Sequence, residues 1–199
     1  MISPALKIAY TLFVAVLVPV YWLRIGWQNF LWLSDIALLL TLAGLWWEQR
    51  LLLSIAAVGA LLPDVAWTMD FLARLLLGAD PFGLQATAYM LDAARPAWLR
   101  GLSLFHVFLP AVLLWAVRRL GYDRRALVVQ AAICAAVLPL SHALAGPQRN
   151  VNWVYGLGWQ RQEFMPDPAF VALLWVGYVV IVFIPAHVLL RAWAPRTRR

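Results

Sequence analysis

Apolar residues run through this chain in long blocks, and polar residues interrupt them at few points. The blocks fall at about 5–23, 30–47, 51–73, 102–118, 126–145 and 169–193. Each approaches the roughly 20 residues that carry a helix across a bilayer. A lone segment in lipid can satisfy its own backbone only as a helix. The pattern therefore predicts an all-α polytopic membrane protein, a six-helix transmembrane bundle forming one domain over residues 1–199. No linker or internal repeat divides it. The first block follows Lys7 closely and has the look of a signal peptide. It is long and lacks a small-x-small cleavage site, so it is read as a first span. Pro63 within the third block predicts a kink, because proline removes a helix hydrogen bond.

Two stretches between the blocks are long. Residues 79–101, "ADPFGLQATAYMLDAARPAWLRG", mix apolar and charged positions and are read as partly interfacial. Residues 146–168, "GPQRNVNWVYGLGWQRQEFMPDP", are rich in Gly, Pro and Asn. Connections of this length more often serve a function than not.

Composition sharpens the class. Hydrophobic residues make up 64% of the chain and charged residues 13%, against roughly half and a quarter in soluble domains. Trp22, Trp27, Trp46, Trp47, Trp98, Trp159 and Trp193 lie near the expected span ends, where aromatic belts form. The net charge of +7 sits in short loops and the tail, as topology signals do, and does not point to nucleic acid. With six spans, Lys7, Arg50, Arg118, Arg119, Arg124, Arg125, Arg191, Arg196, Arg198 and Arg199 share the side of both termini. The other side holds Arg24, Arg74, Arg95, Arg100, Arg149 and Arg161. The positive-inside rule then puts the N- and C-termini in the cytoplasm, with the chain in the cell (inner) membrane. The single cysteine, Cys134, excludes an intrachain disulfide and reads as a small buried hydrophobe.

That topology gives each polar residue a depth. Ser34 and Asp35 lie about one turn into the second span. Asp64 and Asp70 belong to the outer half of the third, His106 lies about one turn into the fourth, and His142 about one turn from the end of the fifth. Asn150, Asn152 and Trp153 follow directly. Polar groups from four helices and one loop thus meet at a similar depth. Ionisable groups inside a membrane face the bundle interior or a cavity and mark function by default; the bland alternative is a hydrogen-bond network that glues helices together. His187, near the other end of the last span, reads as a helix-packed or interfacial histidine.

The available chemistry is nucleophilic. A serine becomes reactive beside a base, most often histidine, and a carboxylate orients the imidazole. Ser34, His106 and Asp70 can fill those roles if spans two, three and four are neighbours. Asp35 points about 100° away from Ser34 on a helix and would pair instead with Arg74, His142 or a loop residue. His142 is a rival base and Ser103 a rival nucleophile. Two histidines and several carboxylates have metal-ligand chemistry, but no HExxH or CxxC pattern is present. No phosphate loop or haem signature occurs, so neither metal nor organic cofactor is expected.

Three segments, "WQNFLWLSDIALL", "PAWLRGLSLFHVFLPAVLLWAV" and "RNVNWVYGLG", are similar in order and spacing to landmarks of the androgen-induced gene family of multipass hydrolases. They touch two of the six expected spans and the 146–168 connection. That family cleaves fatty-acid esters of hydroxy fatty acids with an intramembrane threonine and histidine. Its histidine stands in His-x-x-x-Leu-Pro; His106 in "HVFLP" resembles it with one residue fewer before Leu-Pro, and the "WVY" also matches. Its threonine precedes an aspartate by three residues. Asp35 matches that aspartate, but the threonine position holds Trp32, which cannot be a nucleophile. A related multipass acyltransferase family has cysteine directly before the aspartate, where Ser34 stands. The resemblance implies a lipid-ester hydrolase or acyltransferase acting on a lipid or acyl-chain substrate, with Ser34 attacking and His106 as base. Asp35, Asp64, His142 and Asn152 form the surrounding polar cluster, and Asn152 or its loop is expected to donate to the oxyanion. The rival expectations are a non-catalytic transporter or lipid-binding protein, with a broken helix pair, and a structural or interaction protein, with every polar group paired and no cavity.

Overall fold

The computed structural model describes residues 1–194; Arg196, Arg198 and Arg199, counted above for orientation, lie outside the described residues. Eight α-helices occur in it: α1 Pro4–Arg24, α2 Leu33–Trp46, α3 Arg50–Leu77, α4 Ala97–Leu102, α5 Phe105–Leu120, α6 Ala126–Ala145, α7 Asp167–Gly177 and α8 Ile184–Trp193. No strand is present among the described residues. Helices α4 and α5 run on as one apolar segment, Ala97–Leu120, and α7 and α8 as another, Asp167–Trp193. Together with α1, α3 and α6 they give five helices long and apolar enough to cross a membrane. This is the make-up of a multi-pass membrane protein.

The second expected span differs. It becomes a short 3-10 turn, Trp27–Leu31, followed by the 14 residues of α2. At 1.5 Å per residue α2 is about 21 Å long, less than the ~30 Å hydrocarbon core. Six runs of apolar sequence thus yield five helices of spanning length and one shorter apolar helix. Apolarity alone could not reveal the difference, because Phe30, Leu31 and Trp32 run straight on into the apolar residues of α2. Gly26, at φ 108°, releases the chain from α1 into that turn.

Helix α3 is the centre of the bundle. It packs against α2, α5, α6 and α8, and Leu53 to Leu61 are almost continuously buried along it. Outer faces stay apolar: Leu12, Val16, Leu72, Val128, Ile181 and Val188 are all exposed, as lipid-facing positions should be. Local signals set the ends. Ser3 caps α1 by accepting the Leu6 amide at 3.2 Å, with Pro4 at the first helical position. Gly78, at φ 64°, closes α3 in the left-handed conformation that favours glycine. Pro63 lies inside α3, which continues through it from Arg50 to Leu77. Before Pro185 the last helix widens into a π segment, Tyr178–Phe183, where the proline cannot donate to the carbonyl four residues back.

One end of the bundle carries Arg118, Arg119, Arg124 and Arg125 in or beside the short α5–α6 loop. Asp123 anchors that loop: its amide donates to Ser54 Oγ at 3.0 Å, and its carboxylate meets Arg125 at 2.8 Å and Arg50 at 3.7 Å. His187 is at this end too, hydrogen-bonded to Tyr122 at 2.7 Å. The opposite end carries the two long connections, and the polar residues gather there.

Candidate functional site

Proline spacing shapes this end. Pro110 stands four residues after His106 and has no N–H, so the His106 carbonyl loses its helical partner. Thr68 of α3 replaces it, with Oγ1 3.2 Å from that carbonyl and 2.8 Å from the Asp64 carbonyl. This bond fixes the start of α5 against α3. In the same place Asp64 Oδ1 lies 2.7 Å from His106 Nδ1. Asp64 is 1% exposed. The imidazole stacks on Trp67, with centroids 4.6 Å apart. With Nδ1 engaged by the carboxylate, Nε2 is the nitrogen left to accept a proton.

The carboxylate on His106 is therefore Asp64, one of the surrounding cluster, and not Asp70. Asp70 Oδ2 instead accepts from the Thr87 hydroxyl at 2.6 Å and the Thr87 amide at 3.1 Å. Asp64 and Asp70 are six residues apart, so on a helix of 3.6 residues per turn they point well apart. Asp70 thereby ties the 78–96 connection to α3. A second tie runs from Arg74 to Asp80 at 3.0 Å, so Arg74 is not a partner of Asp35. A third joins the two connections, Trp159 Nε1 donating to the Gln85 carbonyl at 3.3 Å.

Beneath this cover lies a cavity of about 570 Å³. Ser34, Asp35, Asp64, Asp70, Ser103, His106 and Asn152 all line it, with Tyr21, Trp67, Tyr89 and Trp153 among the aromatic walls. The expected convergence thus occurs for six of these residues, and Ser103, expected only as a rival nucleophile, joins them. Both candidate nucleophiles are in the wall. Ser103 Oγ lies 3.0 Å from the Tyr21 hydroxyl. Ser34 Oγ has no hydrogen-bond partner among the described residues, and no hydrogen bond joins either serine to an imidazole. Burial pushes the phenol of Tyr89, in the 78–96 connection, up to about 12, so it stays a neutral hydroxyl at pH 7.

Asn152 has another task than donation to an oxyanion. Its Oδ1 accepts the Leu33 amide at 3.0 Å, and its Nδ2 donates to the Leu31 carbonyl at 2.7 Å and to Ser141 Oγ at 3.0 Å. Both amide protons are used, so none is left for a reacting oxygen. The side chain instead caps the first amide of α2 and ties it to α6. Its backbone takes φ 55°, a left-handed conformation that asparagine tolerates better than most residues. Past Leu33, the amides of Ser34 and Asp35 have no acceptor among the described residues, as befits the first turn of a helix.

His142 is not in the cavity wall. Its Nε2 meets Asp167 Oδ2 at 3.1 Å, an oxygen that also accepts from Arg161 at 2.9 Å. Its ring stacks on Tyr155. The expected rival base is thus part of a clip holding the 146–166 connection to α6 and α7. Asp35 is paired with Asn29, whose Nδ2 is 3.3 Å from both carboxylate oxygens. Spacing could not have shown this partner, because Asn29 approaches only through the break before α2. Among the described residues no group of three or more His, Cys, Asp or Glu is placed to hold a metal ion. No known protein family, curated sequence or solved structure matches the chain.

Proposed function

We propose that the chain is an intramembrane lipid-ester hydrolase or acyltransferase, with His106 as base, Asp64 as its orienting carboxylate and Ser34 as nucleophile. One observation carries the reading: a buried Asp64–His106 pair at 2.7 Å beside a cavity whose wall includes Ser34. In the proposed step Ser34 Oγ attacks the ester carbonyl and its proton passes to His106 Nε2. Collapse of the tetrahedral intermediate breaks the ester C–O bond, and the departing alkoxide takes that proton. Water or a second alcohol then releases the acyl group. The Ser34 and Asp35 amides at the start of α2 would donate to the oxyanion, aided by the helix dipole. The unpaired serine leaves room for substrate to complete the alignment, since catalytic hydrogen bonds are often open before substrate binds. The preferred orientation has both termini in the cytoplasm and the cavity on the outer side of the cell membrane.

The test is labelling of purified protein with a fluorophosphonate probe, comparing wild type with Ser34→Ala, Ser103→Ala and His106→Ala. Loss in Ser34→Ala and His106→Ala with retention in Ser103→Ala is expected. Labelling that survives Ser34→Ala and disappears in Ser103→Ala would move the nucleophile to Ser103. Absence of labelling in folded wild type would overturn the serine mechanism. A second reading, non-catalytic lipid binding or transport, is favoured by the lack of a hydrogen bond between Ser34 and His106 and by the interrupted backbone at Trp27–Leu31.

A further inference from the structure

Three carboxyl groups line the cavity wall; Asp70 takes two donors from Thr87 on one oxygen, and Asp35 and Asp64 have fewer. Asp35 is 3% exposed, and its only side-chain partner among the described residues is the long, shared contact from Asn29. Asp64 gives one oxygen to His106, while Oδ2 is buried with no hydrogen-bond partner among the described residues. No Lys or Arg forms an ion pair with either one among those residues. Buried carboxylates normally keep a cation or several donors close, because desolvation without them is costly.

The nearby guanidinium groups do not fill that role. Arg95 and Arg149 line the cavity but are exposed residues of the two connections. Arg95 pairs with Asp92 at 3.5 Å and covers the Tyr89 ring, and Arg149 donates to the Ile25 carbonyl. Guanidinium groups are thus at the rim and carboxyl groups in the buried wall. The lining also includes Trp32, Trp153 and Trp159, and Trp153 packs edge-on to both Trp32 and Trp159. Aromatic faces beside a carboxylate are the chemistry that recognises an ammonium group.

We propose that the cavity takes an amphiphile with an ammonium headgroup, its cation set among Asp35, Asp64 and these rings. The inference rests on the proposed lipid-ester activity in so far as it names the class of that substrate: a lipid with a cationic or zwitterionic amine head. The tryptophans in the wall report occupancy directly. Protein in neutral maltoside detergent is titrated with hexyltrimethylammonium, hexylammonium, hexyl sulfate and hexanol, and tryptophan fluorescence is followed. Both ammonium probes are expected to saturate the signal at concentrations about tenfold or more below those of hexyl sulfate and hexanol, the scale of one desolvated cation–π contact with an ion pair. Asp35→Asn is expected to erase the preference, and Asp64→Asn to weaken it. If an asparagine variant fails to fold, the wild-type preference and its reduction in Trp153→Leu carry the test. Equal or tighter binding of hexyl sulfate overturns the proposal, as does a preference unchanged in the folded variants. Fluorophosphonate labelling of the same preparation separates the two ideas. Lost labelling with retained ammonium preference removes the hydrolase and keeps the ligand class; labelling without the preference does the reverse.

Discussion

Asn152 accepts the Leu33 amide at 3.0 Å, so the residue before Ser34 is held by a loop 119 positions further along the chain. The same side chain holds the Leu31 carbonyl and Ser141. Ser34 is thereby placed by the 146–166 connection as much as by its own helix. Asn152→Ala leaves the Leu33 amide and the Leu31 carbonyl without these partners, and is expected to cost about 3 kcal/mol, from two or three unmet buried groups. Thermal unfolding in detergent measures it. Hydrogen exchange should rise first at residues 29–36.

The two aspartates of α3 make a sharper contrast. Asp64→Asn keeps the shape of the Asp64–His106 pair but removes the carboxylate that fixes the imidazole tautomer. In the proposed mechanism labelling of Ser34 should fall by roughly 10³- to 10⁴-fold, the scale of losing the orienting carboxylate of a catalytic histidine. Asp70→Asn should change labelling by less than about tenfold, because its partner is Thr87. Equal losses would mean that both act through cavity structure and not through the imidazole.

Thr87→Val removes the 2.6 Å bond to Asp70 and should loosen the 78–96 connection. Amide exchange at residues 80–96 is expected to speed up by about tenfold, corresponding to a hydrogen bond worth roughly 1.5 kcal/mol. Helix α6, outside that connection, should exchange unchanged.

Gly156 takes φ 151°, and a Cβ there would stand 2.2 Å from the Gln160 carbonyl oxygen. Backbone, not a movable side-chain tip, blocks it. Gly156→Ala is expected to cost about 2–4 kcal/mol, read as a lower unfolding temperature. The loss should include the Asn150 bonds to the Gly156 and Gly158 carbonyls, 2.8 and 2.7 Å in the native loop.

Asp123 gives the pH prediction. The Arg125 side chain, assisted by the Arg125 amide and Arg50, holds this carboxyl below its ordinary value. A depressed carboxyl contributes stability that is fully present above its unfolded value, near 3.9, and is lost as pH falls through its folded value. Exchange in residues 121–125 should therefore be flat from pH 7 to about 5 after correction for intrinsic rates, then rise in more acid solution. In Arg125→Ala exchange should already be faster at neutral pH and the acid rise smaller, because less of the depression is left to lose.

Much of the helical framework was legible because lipid leaves the backbone few choices. Five apolar runs became helices of spanning length for that reason. The gathering of Ser34, Asp35, Asp64, Asp70, His106 and Asn152 around one cavity followed span order, which puts them at one end, whereas His142, expected with them, stands outside the cavity wall. Partner choice was not. Asp64 and Asp70 are both acidic residues of one helix, and only the rotation of α3 against α5 decides which meets His106. Asn152 looked like a free donor because its caps are non-local, and sequence spacing carries no trace of a contact across more than a hundred residues. The second run deceived for a different reason. Phe30 and Leu31 at the end of the 3-10 turn run on through Trp32 into the apolar residues of α2, so hydropathy cannot mark where the helix begins.

The shortness of α2 has a consequence for how a lipid could be reached. Its far end carries Trp46 and Trp47, both exposed, and the Lys7–Glu48 ion pair at 2.8 Å, features that belong at a membrane surface. A helix of about 21 Å anchored there stops about 9 Å short of the opposite face of a ~30 Å hydrocarbon layer. In that placement Ser34 would sit below the headgroups. At that level a lipid could present its linkage without being drawn out of its leaflet. Entry would become sideways travel in two dimensions, with access set by the composition of the surrounding leaflet and not by aqueous solubility.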